Sequence, residues 1–192
     1  NHNIEKLDIF TLNADFAKKI NKQEFRYGAE AYFNKVNSTA FATDIAVDTS
    51  TAIGTRYPDG GSSMWSAAVY ATHTWEVGDK FIINDGLRFS YVGLNANFID
   101  KSYFPFPFNN ITQNNSAFNG NLGFVYLPAK TWRITGNLSS GFRAPNVDDL
   151  SKVFESVPGS VVVPNPSLKV EYTLNGEVGI SKEILPGLRA NV

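Results

Sequence analysis

The strongest constraint in this sequence is a hydrophobic period of two that recurs from one end of the chain to the other. Across residues 24–34, Phe25, Tyr27, Ala29, Ala31 and Phe33 alternate with Glu24, Arg26, Gly28, Glu30, Tyr32 and Asn34. Successive strand residues point to opposite faces, so these sets occupy two different environments. A helix fits poorly, because Tyr27 and Ala31 would leave the stripe formed by Phe25, Ala29 and Phe33. Across 131–142, Trp132, Ile134, Leu138 and Phe142 oppose Arg133, Thr135, Asn137, Ser139 and Arg143. Across 169–181, Val170, Tyr172, Leu174, Val178 and Ile180 oppose Glu171, Thr173, Asn175, Glu177 and Ser181. Weaker versions run through 7–16, 65–76, 81–98 and 118–126. Beyond Tyr91 the apolar parity passes to Val92, Leu94, Ala96 and Phe98, which predicts a bulge or a slide out of the apolar zone.

The connections alternate as regularly as the faces. They are short after Phe16, Glu76, Tyr126 and Lys182, and long over 37–63, 99–116 and 143–168. In consecutive antiparallel strands this puts every long loop at one edge and every tight turn at the other. Long external loops, short turns and alternating faces are the pattern of outer-membrane barrels. Trp65, Trp75, Trp132, Tyr27, Tyr126 and Tyr172 suit interfacial girdles. The fold expected is all-β, an antiparallel transmembrane β-barrel. A soluble sandwich also alternates, but strands of about 10–14 residues exceed its usual length. Eight strand-like runs would close a small barrel or form an arc of a larger one. Both ends read as cuts through a longer protein, which favours the arc.

Composition removes other classes. With 192 residues, 18 % charged and a net charge of -1, the chain has no basic footprint for nucleic acid. Without cysteine there is no disulfide framework. Two isolated histidines, His2 and His73, and no serine–histidine–aspartate set or metal cluster give no basis for an enzyme or a resident cofactor.

Gly141-Phe142-Arg143-Ala144-Pro145-Asn146, followed by Asn165-Pro166-Ser167-Leu168-Lys169-Val170-Glu171 and then Tyr172 and Gly176-Glu177-Val178-Gly179, resembles TonB-dependent outer-membrane receptors, particularly of Bacteroidetes-like bacteria. Ser167 and Val170 stand where that family more often has asparagine and proline. The resemblance implies that residues 1–192 are part of a barrel of about 22 strands. It also implies a separate N-terminal plug, absent from this sequence, and uptake driven through TonB. Cargoes of that family include ferric siderophores, haem, cobalamin, glycans and peptides. Its haem branch places an iron-ligating histidine between the two motifs, and 146–164 contains none. A passive porin, or a surface-binding barrel without TonB coupling, is the alternative. Expected partners are the lipid bilayer, the plug, TonB and a nutrient at the external loops.

The candidate ligand contacts lie in the long loops. Tyr103, Phe104, Phe106 and Phe108 alternate with prolines, which lower the cost of holding rings outward for stacking; the same rings would also serve to bury one another. Arg56 and Tyr57 precede a Pro58-Asp59-Gly60 turn that turn chemistry alone explains. Arg143 would offer its donor fork to an anion, or clasp Asp148 or Asp149. Glu24, Arg26, Glu30, Arg88, Arg133, Glu171 and Glu177 are expected on the polar face, as solvated pairs or plug contacts.

Overall fold

The computed structural model describes residues 1–102, 107–151, 154–157, 160–162 and 164–192. Its elements in order are β1 (His2–Ile20), β2 (Gln23–Asp44), β3 (Thr49–Ala52), β4 (Ser62–Glu76), β5 (Phe81–Asn97), β6 (Asn110–Tyr126), β7 (Trp132–Arg143), α1 (Val147–Ser151), β8 (Phe154–Val157), β9 (Ser160–Val162), β10 (Glu171–Leu185) and β11 (Leu188–Asn191). The main sheet runs β1-β2-β4-β5-β6-β7-β10-β11, every neighbour antiparallel, with β3 folded back on β2. A separate hairpin joins β8 to β9. The path ends at β1 on one side and β11 on the other, so the described strands form an open arc rather than a small closed barrel.

Register fixes two faces across the whole arc. Tyr27, Ala71 and Leu87 share one row, and Gly28, Tyr70, Arg88 and Asn119 share a row on the opposite face. The first face is apolar and uncovered: Leu12, Leu87, Phe118, Leu174 and Val178 are each at least 70 % exposed. An apolar surface this continuous is far larger than a soluble monomer leaves bare and marks a face that another apolar surface covers. Gly93 shows how tightly that face is surfaced. The Trp65 indole lies across it and stacks on Tyr91 at 5.1 Å, in space that a Cβ on Gly93 would occupy.

The four tight turns that join neighbours in the main sheet (β1–β2, β4–β5, β6–β7 and β10–β11) fall on one edge, as the connection lengths predict; the β2–β3 hairpin turns at the other. Asn21, at φ 54°, reverses the chain between β1 and β2; Gly187, at φ 85°, does so before β11. Backbone bonds link each turn to the next: Glu76 to Lys22, Leu127 to Lys80, and Glu183 to Thr131, all 2.8 Å.

The strands are longer than expected, at 22 residues for β2 and 17 for β5 and β6. A tilted membrane crossing needs only about 9–11 residues, so the surplus projects at the loop edge. This corrects three boundaries. Most of the connection expected over 37–63 is strand, since β2 continues to Asp44 and returns as β3. β6 begins at Asn110, inside the connection expected over 99–116. The third connection carries α1 and the β8–β9 hairpin. The bulge expected beyond Tyr91 is absent. β5 keeps an unbroken register with β4 and with β6, and the parity changes because loops cover its polar face there.

Candidate binding surface at the loop edge

At the loop edge the otherwise polar face turns greasy. Leu94 and Ala96 of β5, Ile111 of β6 and Phe98 form a buried cluster with Val147 and Leu150 of α1. Tyr57, Phe108 and Leu168, one from each long loop, pack around it. The chain leaving β7 therefore crosses β6 to reach β5, and the three loops share one small core. Burying side chains such as Leu150 and Ile111, both under 3 % exposed, contributes about 1.5–3 kcal/mol each.

Polar stitches hold this cap. The Asp59 carboxylate accepts from the backbone N–H groups of Ile99 and Asp100, at 2.9 and 2.7 Å, tying the first loop to the second. β6 pairs with β7 only from Asn121 to Tyr126. Beyond that point the Ser140 hydroxyl bridges to Gly120, and Gln113 Nε2 donates to the carbonyls of Pro166 and Leu168, at 3.0 and 2.8 Å. The Asn165-Pro166-Ser167-Leu168 turn is thus anchored on β6.

The residues following β7 form a compact clasp. Asn146 caps α1 by accepting from Asp149 N–H through its side chain, while its own N–H donates back to the Asp149 carboxylate, both at 3.0 Å. Arg143 completes the clasp, with its guanidinium 2.6 Å from Asp149 and 3.5 Å from Glu171. Burial pushes the Asp149 carboxyl up, but the Asn146 N–H and the Arg143 charge outweigh it and hold its pKa below the usual carboxylate range. Burial raises the Tyr57 phenol above its ordinary value, and the Asp148 carboxylate accepting its hydrogen bond adds to this.

Below the cap the face becomes a polar wall. Arg88 is ion-paired with Glu30, and its Nε donates to Ser90 Oγ at 3.0 Å. With Tyr70, Thr72, Asn119 and Asn121, Arg88 and Glu30 line an open concavity of ≈ 370 Å³. Arg26 bonds Glu24 along its own strand at 2.6 Å. This surface offers amides, hydroxyls and balanced charges; among the described residues no cluster of histidine and carboxylates could hold a metal ion.

The sequence candidates distribute as follows. Tyr57 and Phe108 sit in the cap, Phe108 edge-on to Phe98 at 5.6 Å. Arg56 lies outside it, over the Tyr57 ring at 5.7 Å. Arg143 is engaged in the clasp. Tyr103, Phe104 and Phe106 lie outside the described residues. His73 is on the apolar face, stacked on Phe25 at 4.5 Å with Nδ1 3.0 Å from Asp85. Sequence reasoning missed Gln113, Val147 and Leu150. The parity switch after Tyr91 was the available signal for a covered inner surface, but a single strand does not show what covers it.

The family model described as TonB dependent receptor-like, beta-barrel matches residues 2–191. Comparison with curated proteins returned no match. Among solved structures, the copper transporter OprC superposes with a TM-score of 0.72 at 16 % identity, over 93 % of this chain and 28 % of that one. The siderophore receptor PiuA from Acinetobacter baumannii gives 0.70 at 13 % identity, over 96 % and 30 %. The Serratia marcescens hemophore receptor HasR, solved with its hemophore HasA and heme, gives 0.69 at 15 %, over 94 % and 30 %. At these identities the likeness concerns the fold. The chain spans less than a third of the length of each.

Proposed function

The chain belongs to the TonB-dependent receptor-like β-barrel family, and on that premise we propose that it forms part of the wall of an outer-membrane transporter in a Gram-negative envelope. The transporter takes up a bulky nutrient, a ferric siderophore, a corrinoid or a cargo of similar size, by a TonB-driven cycle. One observation carries this reading. A single arc combines an uncovered apolar face, a polar wall and a loop cap folded onto that wall at one edge only. The apolar face meets lipid, the wall faces a lumen of about 22 strands holding a plug domain, and the cap stands where a cargo would arrive.

In this reading cargo meets the loop edge first. Tyr103, Phe104 and Phe106 supply stacking surface, and Arg56, with Tyr57 and Phe108 at the margin of the cap, adds further contacts. Arg143 acts by holding the third loop in place while keeping a cationic edge exposed. No step calls for bond-making chemistry by the barrel: its residues bind, exclude water and line a path.

The test is uptake by cells carrying the full-length gene, screened over iron chelates, corrinoids and oligosaccharides. Accumulation of one cargo that stops on deletion of TonB or on collapse of the proton gradient is expected. Accumulation that ignores both would mean a passive porin and would overturn the active-uptake reading.

A further inference from the structure

We propose that the turn edge of the apolar face carries a seat for the phosphate headgroup of an anionic phospholipid, centred on the turn between β6 and β7. This rests on that face meeting lipid. Three lysines from three parts of the chain converge on this turn. Lys80 Nζ donates to the Pro128 carbonyl at 3.2 Å. Lys130 lies exposed within the turn itself. Lys182 Nζ stands 4.8 Å from the centre of the Trp132 ring. The backbone bonds of Leu127 to Lys80 and of Glu183 to Thr131 hold the three contributing segments together.

Along this edge the glutamates keep to one face, while the cations are found on both. Register puts Lys18 and Lys182 on the apolar face, and Lys22, Lys80 and Lys130 are in turns. Glu24, Glu76 and Glu183 are on the polar face, with Lys19 opposite Glu24 and Arg189 opposite Glu183. The acids left outside are Asp79, which pairs with Lys22 at 3.5 Å, and Asp85, which pairs with His73. Beside the lysines, Trp132, Tyr126 and Phe81 continue the apolar face. The seat therefore offers cations at headgroup height and aromatic rings at the level where acyl chains begin, which suits a lipid better than a free anion.

The experiment uses the full-length protein in detergent, with native mass spectrometry of retained phosphatidylglycerol and phosphatidylcholine of matched chains. Wild type is expected to retain phosphatidylglycerol preferentially. The Lys80→Gln/Lys130→Gln/Lys182→Gln variant should lose that preference by about tenfold or more, with salt producing a similar loss. Soluble glycerol phosphate should not compete. Should the triple variant fail to show heat-modifiable mobility, Lys130→Gln alone is used, since that residue is exposed, and a reduced preference is again expected. Equal retention of both lipids, an unchanged preference in the variants, or displacement by glycerol phosphate would overturn the assignment. Loss of heat-modifiable mobility in wild type would instead refute the barrel reading.

Discussion

Arg143 and Asp149 face each other at 2.6 Å across the Pro145 bend, so the last residue of β7 grips the first turn of the helix that follows it. The bend sends α1 back over β6, and the ion pair keeps it there. An exposed pair of this kind contributes about 0.2–1 kcal/mol, enough to bias a loop without controlling the barrel. Asp149→Asn should therefore raise the rate of proteolytic nicking across 146–168 in the full-length protein, while heat-modifiable mobility stays unchanged. Because the folded pKa of Asp149 is depressed, its contribution is complete above the ordinary carboxylate value and is lost as pH falls through the lowered one. Wild-type loop protection should fall only in that acidic window, and the variant should show no such step. Identical nicking of variant and wild type would mean that the hydrophobic cap alone holds the loop.

The position of the turns sets a topology test. Single cysteines at Asp59, Asn109 and Ser156 in the full-length protein should react with an impermeant thiol reagent on intact cells. Cysteines at Asn21, Asp79 and Ala129 should be protected until the outer membrane is opened. Labelling of Asp79 without Asp59 would invert the barrel.

The faces give a paired substitution. Leu174, at 77 % exposure on the apolar face, and Thr173, on the polar face beside Gly141, are adjacent residues with opposite surroundings. Leu174→Arg should reduce assembly by about 2–4 kcal/mol if it lies near the bilayer midplane. Thr173→Arg should be milder, since a wet lumen hydrates the charge. Band shift with and without heating reads both, and equal loss would mean that lipid and lumen are misassigned.

The cargo prediction separates the loops from the histidines. Replacing Tyr103, Phe104, Phe106 and Phe108 together by serine should raise the dissociation constant of the transported nutrient at least about tenfold. His73→Ala should change it little, because His73 sits on the apolar face against Phe25 and Asp85. Calorimetric titration of the full-length variants decides it. Affinity that survives the first change and collapses with the second would move the ligand to another surface.

Period-two alternation together with connection length determined the main-sheet strands except for their extensions at the loop edge, their two faces, and the edge that carries the four turns joining them. These depend on neighbours one or two residues apart and on connection length, which a sequence displays directly. The Gly141–Pro145 and Asn165–Leu168 motifs further pointed to the family. Tertiary structure decided what happens above the membrane-length part of each strand. Leu94 and Ala96 look like a register fault in one strand, because the side chains that cover them, Val147 and Leu150, arrive from more than 50 residues away. Gln113 reads as one more polar residue until the Pro166 and Leu168 carbonyls are seen against it. Burial by distant segments has no period, so nothing local announces the cap, although the alternation beneath it was legible throughout.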